Sequence, residues 1–118
     1  MAKVVAVGHV GLNARDLSSL AAFYRDVVGL RQTVFYEGVV AIFALGDTPT
    51  DLFLSPGNSE PVGFDLAVDD VDAFREKLAR SGVACGEAKD DKVTGHRGFS
   101  FRDPEGNEIR IRNAHGRS

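Results

Sequence analysis

The chain repeats itself at an offset of 54 residues. Slid by that distance, Asp16-Leu17 falls on Asp70-Val71, Leu20 on Phe74, Tyr24 on Leu78 and Leu12 on Leu66. The match is of pattern more than identity, and each part of the pattern has a physical reason. An aspartate opens each copy as an N-cap, its carboxylate accepting from the free amides of a first helical turn. An apolar stripe follows at helical spacing: Leu17, Leu20, Ala21, Tyr24 and Val28, then Val71, Phe74 and Leu78. Gly29 and Gly82 supply the C-terminal stops. The spacing predicts one helix over about 17–28 and a second from Val71 towards Gly82. A doubled unit of about 55 residues is too short for a solenoid array and fits two fused modules.

Strand signals surround both helices. Val4, Val5, Val7 and Val10 predict a first strand over 3–13. Two β-rich runs, 32–36 and 39–45, are joined at Glu37-Gly38, and a short strand over 51–54 follows Gly46-Asp47-Thr48-Pro49. The stretch 56–61 is rich in breakers and reads as a linker. Beyond it the pattern predicts strands over 62–68 and 83–87, a charged loop around 89–92, and a hairpin over 95–111. In that hairpin Phe99 and Phe101 alternate with Ser100 and Arg102, and Ile109 and Ile111 with Glu108 and Arg110. Asp103-Pro104-Glu105-Gly106 has the residue order of a type I turn, with Pro presetting φ and Asp able to bond the backbone ahead. Each half therefore reads β-α-β-β-β, module 1 over 1–56 and module 2 over 61–118, within one α+β domain spanning 1–118. A ferredoxin-like sandwich also sets two helices on a sheet, but it needs only four strands where this chain offers roughly eight.

Composition removes several classes of function. Hydrophobic residues make up 43% of the chain and charged residues 26%, as in ordinary globular domains. A net charge of −3 with no basic block gives nucleic-acid binding no electrostatic support. Arg110, Arg112 and Arg117 are too sparse to reverse that. No apolar run approaches the ~20 residues of a membrane span. The N-terminal MAKVVAVGHVGL is short and contains glycine, so it reads as a strand rather than a signal peptide. The expected location is cytoplasmic. Cys85 stands alone, so no intrachain disulfide can form, and it reads as a small buried hydrophobe rather than a nucleophile. The glycines form neither a dinucleotide fingerprint nor a phosphate loop.

FRDPEGNEIRI resembles the closing hairpin of the vicinal-oxygen-chelate superfamily, which includes glyoxalase I, bleomycin-resistance proteins and extradiol dioxygenases. The resemblance runs from HVGLNARDLSSLAAFYRDVVGL through FDLAVDDVDAFREKL to the DPEGN hairpin, nearly the whole chain. It implies two β-α-β-β-β modules whose curled sheets together form a cup. It also implies a divalent metal held, in the metal-dependent members, by up to four residues on the first and last strands of each module. Carboxylate and imidazole donors suit such ions, and open coordination positions take substrate oxygens. Carried over, those positions fall on His9, Phe53, Gly63 and Arg110. Only His9 is a donor, and an always-charged guanidinium stands at one of the vacancies. No cofactor is therefore expected; a metal enters only if His9 recruits a different partner set. Glu108 and Asp51, two residues away on the same faces, are the residues for such a shifted site.

By alternation, His9 shares a face with Val7 and Gly11, and Asp65 with Gly63 and Ala67, so His9, Asp65 and Arg110 are expected on the cup side. As a ligand site, Arg110 would meet an anionic or carbonyl oxygen and His9 with Asp65 a donor, beside Phe53. As plain structure, Asp65 and Arg110 would form an ion pair. His96 at the mouth of the hairpin reads first as an exposed strand start, with a binding role as the alternative, and His115 as part of a polar tail. Three functions follow. The first is a metal-depleted binder of a small organic molecule, of the bleomycin-resistance kind. The second is a glyoxalase- or dioxygenase-type enzyme with an altered ligand set around His9. The third is an accessory domain with no ligand. Open sheet edges, and the resemblance, predict a homodimer with its site near the subunit boundary.

Overall fold

The computed structural model describes residues 2–58 and 60–113. The chain divides into two compact units, Met1–Glu60 and Pro61–Ser118, a boundary inside the expected linker. Each unit carries one four-stranded sheet with a helix, as the repeat implies.

In the first unit, β1 (His9–Ala14) leads to a helix and then to β2 (Arg31–Tyr36), β3 (Val40–Ala44) and β4 (Asp51–Pro56). The sheet order is β1-β4-β3-β2, with β1 parallel to β4 and the remaining pairs antiparallel. The helix begins as α1 (Leu17–Ala22), where Asp16 accepts from the Ser19 amide at 3.1 Å. It continues with π-type turns over Phe23–Val28, and Gly29 ends it at φ 87°. Sequence spacing predicts a uniform helix here. The wider turns have a geometric reason, because an α-helical step of four residues overshoots a full turn while a π step falls short. Leu20, Tyr24 and Val28 thereby stay on one line, all three buried. With Leu12, Ala41, Phe43, Leu52 and Leu54 they form the core of this unit. Burying each such large side chain contributes about 1.5–3 kcal/mol before entropy is counted.

The first strand starts at His9, not at residue 3. His9 lies opposite Asp51, where β4 itself begins, so the preceding valines have no strand within this sheet to pair with. The Asp51 amide donates to the Gly8 carbonyl at 3.1 Å, yet Val4 is 92% exposed. β-propensity without a neighbouring ladder leaves no strand.

In the second unit, β5 (Gly63–Val68) and α2 (Val71–Arg80) precede β6 (Lys89–Asp90), β7 (Arg97–Arg102) and β8 (Glu108–Asn113). The order β5-β8-β7-β6 repeats the first sheet, with β5 parallel to β8. Asp70 caps α2 through the Ala73 amide at 3.0 Å, and Gly82 follows at φ 84°. Val71, Leu78, Phe99, Phe101, Ile109 and Ile111 are buried, with Phe64, Leu66 and Val68 half-buried on the same alternation. The expected strand over 83–87 reduces to a single bridge between Cys85 and Phe101. Pairing falls instead on Lys89 and Asp90, opposite Gly98 and Arg97, within the stretch expected to be a charged loop.

The β7–β8 turn is tied by its own side chains. Gly106 donates to the Asp103 carbonyl at 2.9 Å and adopts φ 86°. Asp103 Oδ1 accepts from the amides of Glu105 and Asn107 at 2.9 and 3.0 Å. Asn107 Nδ2 donates to Asp103 Oδ2, and Asn107 Oδ1 accepts from the Val62 amide, each at 2.9 Å. Both side chains are buried, so the turn also anchors the entry to β5. Among the described residues no helix is long and apolar enough to cross a membrane.

Candidate functional site

On the second sheet, the face turned away from α2 carries Gly63, Asp65 and Ala67 from β5, beside Glu108, Arg110 and Arg112 from β8. Register sets Asp65 directly across from Arg110, and Ser100 of β7 across from Arg110 on its other side. The Asp65 carboxylate bridges two cations, one oxygen taking Arg110 Nε and the other lying 2.8 Å from Arg112 Nε. Arg110 Nη1 donates to Glu108 Oε1 at 2.8 Å. Hydrogen bonds from Asp65 and then Glu108 push the Arg110 pKa up, so its charge is fixed. About 40% of each of these four side chains remains exposed, which leaves the network open to an incoming molecule.

Glycine at position 63 is part of the same arrangement. A Cβ there would lie 2.8 Å from Arg110 Nη1, so the guanidinium stands where a side chain at 63 would grow. The missing side chain at 63 and the arginine at 110 are thus one spatial arrangement, the first making the room that the second fills.

A cavity of about 410 Å³ opens on this unit. It is lined by Gly98, Ser100, Arg110 and Arg112 of β7 and β8, and by Gly86, Glu87, Lys89, Asp91 and His96 towards the β6 edge of the same sheet. The β6 side is held locally. Arg75 of α2 donates to the Gly86 carbonyl at 2.7 Å, and the Gly86 amide donates to the Ser100 carbonyl at 2.9 Å. Asp91 closes the loop before β7 by accepting from the Val93 amide at 2.8 Å, and those backbone bonds hold its carboxyl below the usual range. Gly98 is required by packing, since a Cβ would meet the Ile111 carbonyl at 2.5 Å. Burial pushes the Cys85 thiol pKa up, away from nucleophile behaviour.

In the first unit, the exposed His9 ring lies 4.6 Å from the half-buried Phe53 ring, tilted by 30°. Parallel pairing of β1 with β4 brings these side chains to one face. The four residues singled out by sequence thus form two pairs, His9 with Phe53 and Asp65 with Arg110, each within its own unit. Asp65 is committed to two arginines rather than to His9. Sequence reasoning passed over Arg112, Ser100 and Glu87, and it placed His96 at an exposed strand start. Alternation from Arg110 was the signal that could have found Arg112. His115 lies outside the described residues. Among the described residues, no group of three or more His, Cys, Asp or Glu side chains is placed to hold a metal ion.

The fold is shared with several known proteins. TnmS3, an antibiotic binding protein from Streptomyces sp. CB03234, is 27% identical, with a TM-score of 0.83 over 98% of this chain and 100% of its own. A lactoylglutathione lyase from Agrobacterium tumefaciens is 23% identical, with a TM-score of 0.81 over 92% of this chain and 93% of its own. The oxidase ChaP-H2 is 20% identical, with a TM-score of 0.75 over 98% of each chain. No curated protein gives a significant match. The profile of the Glyoxalase/Bleomycin resistance protein/Dioxygenase superfamily matches residues 6–111, and the chain belongs to that superfamily.

Proposed function

We propose that this protein binds a small organic molecule without a resident metal, after the manner of the bleomycin-resistance branch. One observation carries the reading: Arg110 Nη1 lies 2.8 Å from where a Cβ of residue 63 would be. The resemblance puts metal-ligand positions at both residues; neither is a donor, and the chain instead sets a fixed positive charge there. The second unit's residues do not fit a divalent ion, because the carboxylates Asp65 and Glu108 are spent on arginines. In the first unit His9 meets the ring of Phe53, which has no lone pair to offer. The likeness to an antibiotic binding protein is in keeping with such a role.

In this reading Arg110 and Asp65 present a polar surface on the second unit, and His9 with Phe53 a separate aromatic one on the first. The protein acts as a homodimer, since β1, β2, β5 and β6 each end a sheet and an unpaired edge favours pairing. Elemental analysis after incubation with Ni²⁺, Zn²⁺, Mn²⁺ or Fe²⁺ and desalting tests the metal. Far less than one ion per chain is expected, and stoichiometric retention overturns the reading. Light scattering tests the dimer; a mass near 12.7 kDa refutes it.

A further inference from the structure

We infer that the cavity on the β7–β8 face, bounded along its edge by the Gly86–Asp91 segment, receives a singly charged organic carboxylate, held by Arg110 and Ser100. The inference rests on the metal-free binding reading and names the ligand class for its second-unit site.

Donor accounting leads to it. Both Asp65 oxygens and Glu108 Oε1 already face arginine nitrogens, so these acceptors are engaged. The donors are not exhausted. A guanidinium carries five N–H groups, and the hydrogen bonds to Asp65 and Glu108 use two of those on Arg110. Ser100 lies directly across the strand pair from Arg110, at a separation of about 5 Å between side-chain roots. A carboxylate resting between them would take an N–H from one and an O–H from the other. Charge-assisted bonds of this kind are the strong ones.

Net charge selects among anions. Arg110 and Arg112 are balanced by Asp65 and Glu108, so the cluster is close to neutral before a ligand arrives. One added negative charge can be met by the unspent N–H groups. A phosphate dianion would bring a second charge beside Glu87 and Asp91, where Lys89 is the lysine among the lining residues. The volume, about 410 Å³, leaves room for an organic body behind the carboxylate and falls in the range of small-molecule sites.

The test uses the full chain and three probes: 1-naphthoate, its neutral analogue 1-naphthamide, and inorganic phosphate. Affinity is read by calorimetry and location by NMR of backbone amides and arginine Nε–H groups. Naphthoate should bind best and shift Arg110 Nε–H together with the amides of Gly98–Ser100. Ser100→Ala, which leaves the ion pairs in place, should weaken naphthoate about tenfold, and Arg110→Gln by at least as much. Naphthamide binding as tightly as naphthoate, phosphate binding more tightly, shifts confined to other residues, or no binding at millimolar naphthoate each overturns the inference. Repeating the titration with EDTA and with Ni²⁺ separates the two claims. Naphthoate binding that requires Ni²⁺ overturns the metal-free reading while keeping the ligand class. Metal-independent binding indifferent to the carboxylate does the reverse.

Discussion

Gly63 and Arg110 share one volume: a methyl group on the first would lie 2.8 Å from Nη1 of the second. Arginine is flexible, so Gly63→Ala should move the guanidinium rather than unfold the chain. The expected stability loss is below about 1 kcal/mol. The displaced guanidinium should lose its bond to Glu108, visible as a shift of the Arg110 side-chain NMR signals. A double-mutant cycle with Arg110→Gln should give a coupling of about 0.5 kcal/mol or more, because removing the guanidinium also removes the clash. Strict additivity would mean that the two residues do not compete for space.

Arg110→Glu reverses the charge and gathers a new carboxylate with Asp65 and Glu108. Affinity for 1-naphthoate should fall by at least about tenfold, the scale of a lost charge-assisted hydrogen bond. Retention of divalent ions after desalting should rise above that of the wild type. If neither quantity moves, Arg110 lies outside the site.

Asn107→Ala should be costly for its size. It strips the Val62 amide of its acceptor and Asp103 Oδ2 of a donor, and Asn107 itself is buried. Losing these two bonds in a buried turn costs about 1–3 kcal/mol. Denaturant unfolding measures it, and a loss below half a kcal/mol, the scale of neutral surface changes, would contradict the network.

Phe101→Ala should cost more, about 3–5 kcal/mol, as for other buried phenylalanines. Phe101 is 3% exposed on the face of β7 that packs against α2. A variant melting within a few degrees of wild type would show that this face is not core.

Acid should destabilise the protein through Asp16 and Asp72. The Ser19 backbone amide, then its hydroxyl, lowers the Asp16 pKa below the ordinary 3.8; the Arg97 hydrogen bond does the same for Asp72. A carboxyl with a depressed folded-state pKa stabilises above its unfolded value and loses that contribution as pH falls through the folded one. Stability from these groups should be flat above pH ~5 and decline below ~4. Asp16→Ala should therefore lower Tm more at neutral pH than at a pH well below 3.8. An equal Tm difference at both values would assign the effect to something other than charge.

What the sequence determined alone is what depends on neighbours along the chain. Asp16 and Asp70 cap helices through amides three residues ahead, and Gly29 and Gly82 end them at positive φ, all within one turn. The DPEGN turn is equally local, and alternation sorted Phe99, Phe101, Ile109 and Ile111 from Ser100 and Arg110 correctly. The tertiary structure decided whatever depends on which strand lies opposite. Val4, Val5 and Val7 have strand propensity but no partner within their sheet, whereas charged Lys89 and Asp90 are strand because β7 runs beside them. The site is of the same kind. Sequence could put Asp65 and Arg110 on corresponding faces, but only the parallel β5–β8 register sets them opposite each other and brings Arg112 to the second Asp65 oxygen. That a glycine at 63 is the space an arginine at 110 occupies is a fact of cross-strand distance, which no local pattern in either strand encodes.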